Sequence, residues 1–127
     1  MLERRFECSS EGLIEAQAFL EQLCPEPRPS IVVDEIASNI VRCSGAKDFL
    51  LSVDKNEDEI TIVFVDDGVA FDPTRETRDP DVTASAEDRA IGGLGVYMVR
   101  KMAKVFAYRR ENGKNVLTIV MPVKATC

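Results

Sequence analysis

A chain of 127 residues with 45% hydrophobic content is sized for a single domain over 1–127 built on one core. The formal net charge of -6 excludes a general grip on nucleic acid, which needs clustered Lys and Arg. The absence of histidine removes the commonest general base and the commonest transition-metal ligand, so acid–base chemistry falls to carboxylates.

Residues 2–8 alternate, with Leu2, Arg4, Phe6 and Cys8 on one side, which predicts a short strand. From Ser9 or Ser10 a capped helix is expected, with Leu13, Ala16, Phe19, Leu20 and Leu23 at helical spacing until Pro25, Pro27 and Pro29 end it. Ser30 is the expected cap of a second helix with the apolar stripe Val33, Ile36, Ala37 and Ile40, stopped by Gly45. Residues 49–54 and 59–65 read as two strands of a hairpin around the polar turn 55–58. Between Gly68 and Gly92 periodicity is lost, and a connection of that length is often a lid. A further helix then runs through Val96, Met98, Val99, Met102 and Ala103, followed by two strands around Asn112 and Gly113. This order predicts an α+β fold: a two-layer α/β sandwich with a mixed, mostly antiparallel sheet and helices on one face.

No run approaches the ~20 uninterrupted apolar residues of a membrane span. The charged start, Glu3, Arg4 and Arg5, is not followed by a signal-peptide apolar run, so a cytoplasmic location is expected. Cys8, Cys24, Cys43 and Cys127 lack the paired spacing of a zinc or dithiol motif and read as buried or incidental thiols. Arg100, Lys101, Lys104, Arg109 and Arg110 read as a solvated helix end and hairpin edge rather than a binding patch.

Three segments carry chemistry. Glu35 and Asn39 lie one helical turn apart, so a carboxylate able to accept a proton and an amide oxygen suited to Mg²⁺ can face one point. For an arbitrary helix a solvated polar stripe is the commoner reading. Asp66, Asp67 and Gly68 follow a strand, so a carboxylate there can accept a hydrogen bond from a ligand's exocyclic amine; Asp and Gly also favour ordinary turns. Gly92, Gly93, Leu94 and Gly95 open a helix, where bare N–H groups attract phosphate, although a flexible cap has the same composition. The segment matches neither the dinucleotide fingerprint nor a Walker phosphate loop.

Together the three segments resemble the GHKL, or histidine kinase-like, ATPase superfamily from Leu13 to Met121, and in particular its bacterial anti-sigma-factor serine/threonine kinases. Glu35 and Asn39 match the N-box, Asp66 and Gly68 the adenine motif, and Gly93 and Gly95 the second glycine box. The resemblance implies ATP and Mg²⁺ as cofactors, with Glu35 as general base and Asn39 on the metal. It also implies that Asp66 recognises adenine beside Gly68 and Ala70, and that the backbone of Gly92, Gly93, Leu94 and Gly95 encloses the phosphates. The acceptor would be a serine or threonine of an anti-sigma antagonist; the alternative is a nucleotide-gated binding module that sequesters a sigma factor or another regulator without catalysis, and a homodimer is expected. A histidine-kinase catalytic fragment fits less well, since no histidine is present. The sequence departs from the family pattern at Ala70 and Ile91, where glycine is common, and at Cys43, where an aromatic or histidine often follows the N-box. Asn115 stands where many relatives place threonine beside the phosphates.

Overall fold

The computed structural model describes residues 1–75 and 93–123. Along them run β1 (Leu2–Glu7), α1 (Ser10–Leu23), α2 (Pro27–Cys43), β2 (Asp48–Lys55), β3 (Glu59–Asp66), α3 (Gly93–Met102), β4 (Val105–Glu111) and β5 (Lys114–Pro122). A short 3-10 turn, Pro73–Arg75, follows β3. The sheet order is β1-β2-β3-β5-β4, and all four pairings are antiparallel, where the sequence had also allowed a mixed sheet.

Each element follows from local chemistry. The Ser9 side chain accepts a hydrogen bond from the Gly12 N–H at 3.0 Å and so caps α1. The second helix begins earlier than the Ser30 cap expected from sequence. It starts at Pro27, because proline needs no N–H partner in a first turn and its fixed φ already suits a helix. Ser30 instead donates its hydroxyl to Gln17 Oε1 at 2.7 Å and ties α2 to α1. At the β4–β5 hairpin Asn112 and Gly113 both take positive φ, 53° and 74°, as a two-residue primed turn requires.

The core lies between one sheet face and the helices. Strand residues Phe6, Phe49, Leu51, Ile62 and Phe64 meet Ala16 and Leu20 of α1, Val32, Val33 and Ile36 of α2 and Val99 of α3. The rings of Phe6 and Phe49 sit 5.7 Å apart, and those of Phe49 and Phe64 6.2 Å apart, in tilted pairs. In β3 the inward row is Ile60, Ile62, Phe64 and then Asp66, so the alternation of a strand delivers a carboxylate to the end of an apolar row.

Among the described cysteines, Cys8 and Cys43 are free; Cys24 is buried, one of the two readings offered, but is disulfide-bonded rather than a thiol. Most of the lid expected over 68–92 lies outside the described residues. Among those described, no helix is long and apolar enough to cross a membrane.

Candidate functional site

On α2, Asn39 continues the buried stripe and is only 4% exposed, so its amide must find partners within the protein. Its Oδ1 accepts from an Arg42 guanidinium N–H at 2.7 Å, and its Nδ2 points at Glu35 Oε1 across a long 3.5 Å. Burial raises the Glu35 pKa above the ordinary carboxylate value; Arg42 opposes that shift, Asp34 adds to it, and the contact with Asn39 opposes it.

The carboxylate of Glu35 lies directly under α3. A Cβ placed on Gly95 would stand 1.9 Å from Glu35 Cδ and 2.1 and 2.3 Å from its two oxygens. The third residue of α3 is thus glycine at a point of close approach, and the electropositive start of that helix bears on the acid. Glu35, Asn39 and Gly95 are brought together in this way, though they come from segments far apart in the chain.

At the end of β3, Asp66 is 6% exposed. Its Oδ1 accepts from the Gly68 N–H at 2.9 Å, an aspartate turn, and from Asn115 Nδ2 at 3.0 Å. Gly68 presses on the end of α2: a Cβ there would lie 2.2 Å from the Ser44 carbonyl oxygen and 2.6 Å from Ser44 Cβ. Next to it, the Val69 N–H donates to the Ser44 carbonyl at 2.8 Å. Replacing Gly68 with Ala should therefore destabilise the protein by about 1–3 kcal/mol, because backbone rather than a side-chain tip must yield. Chemical denaturation would measure this, and an unchanged midpoint would contradict the packing.

Asn39 and Asp66 line one pocket, whose lining does not include Glu35, Gly68 or Gly95. Ile36 and Asn39 of α2, Phe64 and Asp66 of β3, Phe71, Pro73, Tyr108 and Asn115 all line it. Its lining is largely apolar, with a few convergent polar groups, the usual make-up of a small-molecule site. Of the hydrophobic side chains in its wall, Phe71 is the exposed one, at 42%.

Of the remaining residues singled out from sequence, Ala70 is exposed and lies outside the pocket lining. Gly93 opens α3 and Leu94 follows it, while Gly92 is outside the described residues, as is Ile91. Among the described residues, no group of three or more Asp, Glu or Cys is arranged to hold a metal ion. Cys8 lies near Asp66, and burial, with Asp66, Asp48 and Asp67 acting in the same direction, pushes its thiol up to about 11, so it is no nucleophile at neutral pH.

Sequence reasoning names Asn115, Arg110 and Arg100 but misses the support that each gives to the site. Asn115 sits directly across from Asp66 in the β3–β5 register, and its hydrogen bonds go to the Asp66 side of the site rather than to α3. Arg110, read as a solvated hairpin edge, donates to the Gly68 carbonyl at 2.8 Å and to Asn115 Oδ1 at 3.1 Å. Arg100 donates to the Thr74 carbonyl at 2.6 Å and ties α3 to the Pro73–Arg75 turn. Arg110 stays exposed while it makes these bonds, and nothing in the spacing of a basic cluster shows which members reach back to the backbone.

Comparison with known proteins agrees with this fold. The family model described as the histidine kinase-like ATPase domain matches residues 5–121. The serine/threonine-protein kinase BtrW of Bordetella bronchiseptica is 30% identical over 69 residues, 54% of this chain and 48% of that protein. The match thus spans about half the length of that relative. Among solved structures, the Acinetobacter baumannii histidine kinase AdeS superposes with a TM-score of 0.56 over 96% of this chain and 68% of the other, at 15% identity, a likeness of fold.

Proposed function

The chain belongs to the histidine kinase-like ATPase domain family, and on that premise we propose that it is an ATP-dependent serine/threonine kinase. Its substrate is a regulatory protein of the anti-sigma antagonist type, which it phosphorylates and also sequesters. The observation that carries this reading is the Glu35 carboxylate, which the missing side chain of Gly95 lets lie close under the first turn of α3 and whose pKa burial raises. Similarity to a serine/threonine-protein kinase supports the choice of acceptor.

The residues fit the nucleotide. Asp66 offers a carboxylate oxygen at the end of an apolar pocket for an exocyclic amine, and the pocket wall suits a purine face. The start of α3 presents backbone N–H groups for phosphate oxygens. Asn39 Oδ1 is a hard oxygen that fits Mg²⁺ once the exposed Arg42 withdraws from it; when bound, the ion neutralises phosphate charge. In the transfer, Glu35 takes the proton of the acceptor hydroxyl as that oxygen bonds to the γ-phosphorus. The bond from the γ-phosphorus to the bridging oxygen breaks, and its electron pair leaves with ADP.

A second reading, a nucleotide-gated binding module without catalysis, is favoured by the Arg42–Asn39 hydrogen bond, which occupies the oxygen a metal would need. Incubation with ATP, Mg²⁺ and a cognate anti-sigma antagonist separates the two. Phosphoserine or phosphothreonine on the partner supports the kinase, whereas an ATP-dependent complex with no phosphorylated partner supports the module.

A further inference from the structure

Asp66 and Asn115 face each other across β3 and β5, each only 6% exposed. Asn115 Oδ1 accepts from the Tyr108 hydroxyl at 2.5 Å, an Arg110 guanidinium N–H at 3.1 Å and the Phe71 N–H at 3.3 Å. Its Nδ2 donates to Asp66 Oδ1 at 3.0 Å and to the Val69 carbonyl at 2.8 Å. Both amide hydrogens are thereby used. Flipping the amide would set nitrogen against a guanidinium and oxygen against a carboxylate, so its neighbours fix its orientation. Asp66 Oδ1 is in turn filled by two donors, Asn115 and the Gly68 N–H, and both hydrogen bonds to the side chain among the described residues fall on that one oxygen.

We propose that Asn115, by capping one oxygen of Asp66, sets the base preference of the pocket for adenine over guanine. The inference rests on the nucleotide reading above and deepens it. A carboxylate with both oxygens open suits two adjacent donors in a bidentate pair, and guanine presents such a pair, its ring N1–H beside its 2-amino group. Adenine presents a single donor, its 6-amino group, beside the N1 acceptor. With Oδ1 capped, adenine's one donor is satisfied on Oδ2. Guanine's second donor is left buried opposite an amide that is itself donating, and an unpaired buried donor weakens binding. Asn115 is a positioning residue here. It acts through Asp66, and Tyr108 and Arg110 hold it in place.

The test is the ratio of ATP to GTP dissociation constants, measured by calorimetry with Mg²⁺, for the wild type, Asn115→Leu and Tyr108→Phe. The wild type should favour ATP, and Asn115→Leu should shrink that preference about tenfold. Tyr108→Phe removes one donor to Asn115 while keeping the ring, and should shrink the preference about threefold. Should Asn115→Leu fail to fold, Tyr108→Phe decides alone. A wild type that binds both nucleotides equally, or a preference untouched by the variants, overturns the assignment to Asn115 while leaving the nucleotide site standing. A wild type that binds no adenine nucleotide removes the nucleotide reading and this inference with it.

Discussion

Replacing Glu35 with Gln should raise thermal stability at pH 7–8 while cutting phosphoryl transfer by roughly 10²–10⁴-fold, the usual contribution of a positioned acid or base. Burial raises the Glu35 pKa in the folded chain above the value of 4.5 that applies when unfolded. Above about 4.5 the folded chain therefore holds more proton than the unfolded one, so wild-type stability falls as pH rises through that window and stays lower beyond the folded pKa. Gln keeps the shape and does not titrate. The gap in melting temperature between variant and wild type should then open with rising pH and close below the unfolded pKa. Melting curves across pH and a transfer assay check both halves. A variant less stable than wild type at pH 8, or one with full turnover, would contradict the role given to Glu35.

Replacing Gly95 with Ala should leave the fold intact and still lower transfer about 100-fold, the cost of moving a reacting group by about 1 Å. The added methyl would meet the Glu35 carboxylate, the far end of a flexible side chain, so the acid moves aside and no backbone has to shift. Alanine is also the better helix former by up to about 1 kcal/mol, so melting temperature should hold or rise. Turnover should fall more than ATP affinity, because the atoms nearest to the methyl all belong to Glu35, the base that it displaces. Circular dichroism, ATP titration and the transfer assay measure the three quantities. Undiminished transfer in a folded variant would show that the Glu35 carboxylate is not used where it now lies.

The elements legible in the sequence are those specified by neighbours in the chain. The Ser9 cap, the alternation of β3 and the Asn112–Gly113 turn each act over a few residues, and each stands where the pattern put it. The sequence misplaces the start of α2 because Pro27 looks like a stop when it occupies a first turn, a distinction set by what precedes the proline. The site is harder to read because its contacts are non-local. The β4–β5 turn alone places Arg110 across from Asn115, but Asn115 reaches Asp66 only through the β3–β5 pairing, 49 residues away in sequence. Glu35 and Gly95 could be paired from sequence only through family resemblance. Their contact depends on how α3 settles over α2, which no periodicity encodes.

The most direct test of the account is a titration of ATP with Mg²⁺ into the wild type and Asp66→Asn. The account predicts saturable binding to the wild type and a loss of about tenfold or more when the buried carboxylate is replaced, the effect expected for a hydrogen bond to a charged group. No binding to the wild type, or equal affinity in the variant, would contradict the claim that this pocket holds adenine through Asp66.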